Sequence, residues 1–189
     1  MATVTQSGRA PKFPETTGPV EIEIGAGNGL AAIARAKLCP DVFTVAVEQT
    51  RTRFAAFERN FRAAGAPANL LPVHANAIPW VTAEVPLSRV SKIWILYPNP
   101  SPKNPSGRWI RMPFFSRLID CLVPDGEIHL ATNLPFYADE VRRFARDHWE
   151  LSVEAWIPSL SRTAFEEKYL AAREPCQELV LRKAPSGNS

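Results

Sequence analysis

The stretch that decides the fold is Val20-Glu21-Ile22-Glu23-Ile24-Gly25-Ala26-Gly27-Asn28-Gly29. Its apolar first half predicts a strand, and its alternating glycines predict a tight turn. Residues 30–38 then predict a helix, and residues 43–48 predict a second strand that ends on the carboxylate of Glu48. Open α/β sheets form nucleotide-type pockets in this way, because glycines let the backbone approach a ligand and a carboxylate can hold a ribose diol.

The form of the glycine motif separates two kinds of cofactor site. Gly25, Gly27 and Gly29 alternate as Gly-x-Gly-x-Gly, whereas dinucleotide-binding folds carry Gly-x-Gly-x-x-Gly. An acidic residue, Glu23, also stands two positions before the first glycine. Together with Glu48, these features resemble the cofactor site of class I methyltransferases, which bind S-adenosylmethionine. A nicotinamide site is the alternative, and a plain turn between strand and helix is the simplest explanation of the glycines alone.

Length and composition are those of one globular domain. The chain has 189 residues, of which 46% are hydrophobic, enough to bury a sizeable core. Residues 1–19 are polar and rich in Thr, Pro and Gly, so we predict a flexible arm there, a domain over residues 20–183 and a flexible tail over residues 184–189. No apolar run is long enough to cross a bilayer, and the polar N-terminus does not predict a secretion signal.

The cysteines and the net charge bear on compartment and partners. Cys39, Cys121 and Cys176 are odd in number, far apart and without the spacing of metal ligands, which favours a cytoplasmic protein and predicts no metal site. The net charge of +3 and the pI of about 8.9 are compatible with a polyanionic partner without requiring one. The sequence leaves monomer and homodimer open.

Strands and helices alternate along the whole domain. We predict a doubly wound, mostly parallel seven-stranded α/β sheet with helices on both faces, similar to the Rossmann-like fold of class I methyltransferases. The further predicted strands are residues 70–73, 90–97, 127–132, 151–156 and 177–183. The further predicted helices are residues 51–64, 113–122 and 135–149.

The loop after the fourth predicted strand narrows the choice among protein families. It reads Tyr97-Pro98-Asn99-Pro100-Ser101-Pro102-Lys103 and follows the carboxyl end of a strand, where open α/β sheets bind ligands. Its prolines make it stiff, so a rigid surface turn is the simple alternative. In context, the loop resembles the Pro-Asp-Pro-Trp-x-Lys signature of tRNA (guanine-N7)-methyltransferases.

Other segments resemble the same family in the same order, from about residue 20 to residue 183. They are Asn76-Ala77, Arg108-Trp109-Ile110, Pro124-Asp125-Gly126, Ala131-Thr132-Asn133 and Thr163-Ala164-Phe165-Glu166. The resemblance implies S-adenosylmethionine as cofactor and tRNA as substrate. The implied cofactor-binding residues are Glu23, Gly25, Gly27, Glu48, Asn76 and Ala77. The implied catalytic residues are Asn99 and Glu166, and the implied substrate-binding residues are Lys103, Arg108, Asn133 and Thr163.

The chain also departs from the family pattern. Asn99 and Asn133 stand where the family has Asp, Ser101 replaces Trp, and the loop from Lys103 to Arg108 has lost most of the family's basic residues. Three functions therefore stay open: a methyltransferase acting on guanine N7 of tRNA, a divergent methyltransferase with a small-molecule substrate, and a non-catalytic protein that binds cofactor or RNA.

Overall fold

A computed structural model describes residues 10–156 and 164–183 of the chain. Seven strands form one sheet in the order β3-β2-β1-β4-β5-β7-β6. Strand β7 runs antiparallel to its neighbours, and the remaining pairs are parallel. The predicted doubly wound, mostly parallel seven-stranded sheet is confirmed. The strands are β1 Val20–Ile24, β2 Phe43–Glu48, β3 Leu70–His74, β4 Val90–Leu96, β5 Leu122–Thr132, β6 Ser152–Trp156 and β7 Gln177–Arg182.

Helices cover both faces of the sheet, as predicted. They are α1 Leu30–Leu38, α2 Arg51–Ala63, α3 Ala77–Glu84, α4 Phe114–Cys121, α5 Pro135–Asp147 and α6 Ala164–Ala171. Two short 3-10 turns, Pro105–Gly107 and Trp109–Arg111, lead into α4. Among the described residues, none of the helices has the length and hydropathy needed to span a bilayer.

The alternation of side chains along the strands divides the core into two layers. Ile22 of β1 and Val45 of β2 point towards α3, α4 and α5, where the larger apolar cluster lies. Ala46, the next residue of β2, points the other way and packs with α1 and α2 around the buried Phe57. This period of two is what places a strand residue on one face or the other.

Two helices were not predicted, α3 and α6. Helix α3 is short and apolar around most of its circumference, so it shows no helical period. Its start is nevertheless encoded: Asn76 caps the helix by accepting a hydrogen bond from the Ile78 N–H at 3.0 Å, and Pro79 falls in the first turn. Strand β5 begins five residues before the predicted start, because Leu122 already pairs with Val90; the extra residues of β5, which include Pro124–Gly126, then shift the register before Glu127 pairs with Lys92.

The described part of the predicted N-terminal arm, residues 10–19, contacts the domain. The indole N–H of Trp80 donates to the Pro11 carbonyl at 2.8 Å, and the Arg89 guanidinium donates to the Gly18 carbonyl at 2.8 Å. Phe13 packs against the main core. Partners more than 60 residues away in sequence provide these contacts, which the polar composition of the arm does not indicate.

Candidate cofactor and substrate site

The glycine turn after β1 has two different faces. Gly25, Gly27 and Gly29 all have left-handed backbone angles, with φ of 79°, 59° and 78°. A Cβ added at Gly25 or Gly27 would meet nothing within 4 Å, whereas one added at Gly29 would lie 1.9 Å from the Phe57 ring. The first two glycines therefore border open space at the sheet edge, and the third allows close packing of the turn against α2.

The carboxylate of Glu48 lies directly beside this open space. Its Oε2 accepts a hydrogen bond from the Gly27 N–H at 2.8 Å, and its Oε1 accepts one from the Thr50 N–H at 2.6 Å. The residue is 3% exposed. Two backbone donors thus fix the carboxylate at the end of β2, while each oxygen keeps a lone pair for a further donor. This arrangement fits the ribose-binding role predicted for Glu48.

The end of β3 forms the neighbouring wall. The Ala75 N–H donates to the Glu48 carbonyl at 3.2 Å, so Asn76 and the buried Ala77 follow immediately beside Glu48. The rings of Phe54 and His74 stack with centroids 4.8 Å apart. Phe54, on α2, is half-buried, and the face of its ring covers His74.

Glu23 lies beneath the turn on the side of α1. Its Oε2 accepts a hydrogen bond from the Arg35 Nη2 at 2.6 Å, and the residue is 2% exposed. The same guanidinium donates through Nε to Glu21 at 3.0 Å and lies 4.6 Å from the centre of the Trp94 ring. Burial alone lowers the pKa of Arg35, but Glu23 and Glu21 outweigh it and raise the pKa above its ordinary value. Glu23 therefore supports the turn through an ion pair that the sequence analysis did not identify.

The substrate-side residues follow the ends of β4 and β5 at the same edge of the sheet. Asn99 and Lys103 are exposed in the proline-rich loop after β4. Asn133 follows β5, and its amide donates to Glu174 at 3.0 Å. Glu166 on α6 is fully buried and accepts a hydrogen bond from the Tyr97 hydroxyl at 3.0 Å. Thr163 lies outside the described residues.

Arg108 occupies a different position from the one expected for a substrate contact. It is 9% exposed, and its Nη1 donates to Glu140 at 2.6 Å. Its Nε donates to the Ser101 carbonyl at 3.0 Å, and its Nη2 donates to the Pro102 carbonyl at 3.2 Å. The guanidinium thus links the proline-rich loop, through Nε and Nη2, to α5, through Nη1. A direct contact between Arg108 and a substrate would require these bonds to break.

The two kinds of glycine give a first prediction. Gly29→Ala should destabilise the fold by about 1–3 kcal/mol beyond the cost of backbone strain, because the new methyl overlaps the buried Phe57 ring. Gly27→Ala, the matched control with a left-handed backbone angle and open space, should cost only the backbone strain, about 1–2 kcal/mol. Urea unfolding of the two variants measures both effects. Equal destabilisation would contradict the division of the turn into an open and a packed face.

The strand order and the helices on both faces of the sheet are those of the class I methyltransferase fold. Solved structures similar to this chain include the 16S rRNA methyltransferase KamB, with a TM-score of 0.63, 20% identity and 88% of each chain covered. Another is a precorrin-6y C5,15-methyltransferase from Geobacter metallireducens, with a TM-score of 0.63, 17% identity, and 88% of this chain and 80% of that one covered. At these identities the likeness concerns the fold.

Sequence comparison shows the family. Residues 17–177 match the model of a family described as putative methyltransferase, and the chain belongs to that family. A tRNA (guanine-N(7)-)-methyltransferase of Mycobacterium leprae is 28% identical over 179 residues, covering 87% of this chain and 74% of that protein. The protein of the same description from Mycobacterium tuberculosis is 29% identical over 126 residues, covering 65% of this chain and 48% of that one. The resemblance inferred from the motifs is confirmed, and the chain is a divergent relative.

Proposed function

We propose that this protein transfers a methyl group from S-adenosylmethionine to the N7 atom of a guanine in tRNA. The observation that carries the proposal is the placement of the open side of the glycine turn, the buried Glu48 carboxylate and the Asn99 loop at one edge of the sheet. The similarity to tRNA (guanine-N(7)-)-methyltransferases over most of the chain supports the choice of substrate.

The cofactor would be held by the residues around the open space. Gly25 and Gly27 leave room for close approach of a ligand to the backbone, and Glu48 offers charged acceptors for two ribose hydroxyls. Asn76 and Ala77 form the adjacent wall at the end of β3. Glu23 acts indirectly, by holding the turn through Arg35. When bound, S-adenosylmethionine supplies a methyl group on a positively charged sulfur.

The reaction requires the protein mainly to position the base and to stabilise charge. Guanine N7 carries a free lone pair, so no proton has to be removed before it reacts. The protein must align the base and stabilise the positive charge that develops on the purine. Asn99 can accept a hydrogen bond from the base edge, and the carboxylate of Glu166 can balance the charge. Asn133, Lys103 and Thr163 complete the proposed substrate side.

Binding of tRNA needs phosphate contacts, and Lys103 is the exposed cation nearest to Asn99 in the loop. A tRNA substrate would place the activity in the cytoplasm, in line with the cysteine usage.

A small-molecule substrate is the second candidate, and the structure contains a specific observation in its favour. Arg108, which was expected to contact the substrate, instead donates hydrogen bonds to Glu140 and to two loop carbonyls. Lys103 is then the single cation in the loop of residues 99–107. Each lost phosphate contact weakens binding to a nucleic acid and reduces its dependence on salt. A protein built for tRNA should compensate with cations elsewhere on its surface.

Transfer of label from S-adenosylmethionine to unmodified tRNA separates the two candidates. The proposal predicts label that stays with the tRNA, at a rate that falls as salt is raised. Cofactor binding by calorimetry without transfer to tRNA would favour the small-molecule substrate or the non-catalytic binder. If the protein does not bind S-adenosylmethionine, the assignment of this site as a methyltransferase cofactor site is wrong.

Asn99→Asp should raise the rate of guanine methylation by about tenfold. A carboxylate accepts charge-assisted hydrogen bonds, which are roughly twice as strong as neutral ones, and its negative charge favours a cationic purine. The rate constant for methylation of tRNA at saturating cofactor measures the effect. Asn104→Asp is the matched control, because it adds the same charge to an exposed position of the same loop. A loss of activity in both variants, or no gain at position 99, would indicate a substrate other than guanine.

A further inference from the structure

Tyr97 is held in an unusual backbone conformation between β4 and the Asn99 loop. Its φ is 50°, in the left-handed region that residues other than glycine seldom adopt, and Pro98 follows it. Its N–H donates to the Ala131 carbonyl on β5 at 2.9 Å, which fixes the turn. Strained backbone of this kind concentrates at functional sites. The conformation directs the chain from the strand into Pro98 and Asn99.

The side chain of Tyr97 contacts α6. Its hydroxyl donates to Glu166 Oε1 at 3.0 Å, and its ring lies 5.8 Å from the ring of Tyr169 on the same helix. The Cys176 thiol, next to the start of β7, is also within hydrogen-bonding reach of the hydroxyl. Burial first, and then the neighbouring thiol and carboxylate, raise the pKa of Tyr97. The phenol therefore keeps its proton and remains a donor.

One residue thus connects the two groups expected to act on the substrate. Asn99 is two positions along the backbone from Tyr97, and Glu166 is one hydrogen bond from its side chain. Glu166 is fully buried, so the direction of its carboxylate depends on protein partners rather than on water. We propose that Tyr97 is a positioning residue that sets Glu166 and α6 relative to Asn99. The inference rests on the proposed function, because it assigns Glu166 to the substrate side.

Tyr97→Phe tests the inference, because it keeps the ring and removes only the hydroxyl. We expect kcat for methylation of tRNA to fall by about 10- to 100-fold, as for loss of a hydrogen bond to a charged group. The Kd of S-adenosylmethionine, measured by calorimetry, should stay within about twofold, because Glu48 and the glycine turn are untouched. Tyr137→Phe is the control, since it removes the hydroxyl of a second tyrosine, which is fully buried on α5. Its kcat should equal that of the wild type.

A double-mutant cycle separates positioning from general stability. If Tyr97 acts through Glu166, the double variant Tyr97→Phe, Glu166→Gln should be no slower than Glu166→Gln alone. Fully additive losses would overturn the inference, because they would mean that Tyr97 acts independently of that carboxylate.

Hydrogen exchange tests the same contact without relying on activity. In Tyr97→Phe, amides of residues 164–171 should exchange faster than in the wild type, while Tyr137→Phe should leave them unchanged. Unchanged exchange of α6 in Tyr97→Phe would overturn the inference. Failure of the proposed function gives a different pattern: the wild type itself would not methylate tRNA, and the exchange of α6 would still report whether Tyr97 holds that helix.

Discussion

Glu48→Ala is expected to weaken binding of S-adenosylmethionine by about 100-fold or more. Hydrogen bonds to a charged acceptor contribute about 1.5–3 kcal/mol each, and a ribose diol would lose two of them. The variant also removes the acceptor for the Gly27 and Thr50 N–H groups, so the turn loses its connection to the end of β2. Calorimetric titration with S-adenosylmethionine measures the affinity directly.

Two further variants make this test specific. Glu48→Gln keeps an acceptor oxygen but removes the charge, so its affinity should fall between those of the wild type and of Glu48→Ala. Glu58→Ala is the control on α2, where the carboxylate makes a 3.4 Å contact with Arg62 at the surface. Its affinity should match the wild type. An unchanged Kd in Glu48→Ala would mean that the cofactor binds elsewhere.

Arg35→Met should destabilise the fold by about 3–5 kcal/mol, because it leaves buried carboxylates without their cation. The side chains of Glu21 and Glu23 are only 7% and 3% exposed, and Arg35 makes ion pairs with both of them. Glu21 also accepts hydrogen bonds from Thr44 and from the Trp94 indole, so it cannot turn towards water without breaking them. Urea unfolding measures the change.

Two further variants serve as controls for Arg35→Met: one breaks a surface ion pair, and the other neutralises a carboxylate that pairs with Arg35. Arg62→Met removes an exposed guanidinium from a single surface ion pair, which contributes about 0–1 kcal/mol. Adding Glu21→Gln to Arg35→Met should recover part of the stability, because one of the uncompensated charges is then gone. A small loss in Arg35→Met, similar to that of Arg62→Met, would show that the buried cluster does not support the glycine turn.

The sequence predicts helices and strands well where the spacing of apolar residues has a clear period. Strands β1, β2 and β4 and helices α1 and α2 lie within one residue of their predicted bounds, because alternating or helical apolar patterns fix them. Helix α3 was missed because its eight residues are apolar around most of its circumference, although Asn76 and Pro79 mark its start. The turn predicted at Pro124–Gly126 lies inside β5, where the pairing with β4 is interrupted between the Val90–Leu122 and Lys92–Glu127 pairs.

The site was predictable to the extent that single residues follow strand ends. Glu48 and Asn99 lie at the carboxyl edge because parallel strands bring those ends together. Pairings between distant residues were not predictable, since they depend on how each helix is rotated against the sheet. The contact between Arg108 and Glu140, 32 residues apart, is one case, and the contact between Tyr97 and Glu166, 69 residues apart, is another. Both concern groups whose type suggested a direct role in binding or catalysis.

Identifying the methylated nucleoside tests the proposed activity directly. Unmodified tRNA is incubated with the protein and labelled S-adenosylmethionine, digested to nucleosides and analysed by mass spectrometry. We expect label in 7-methylguanosine, with more of it formed by Asn99→Asp. Label in another nucleoside, or none in tRNA from a sample that binds the cofactor, would contradict the proposed activity.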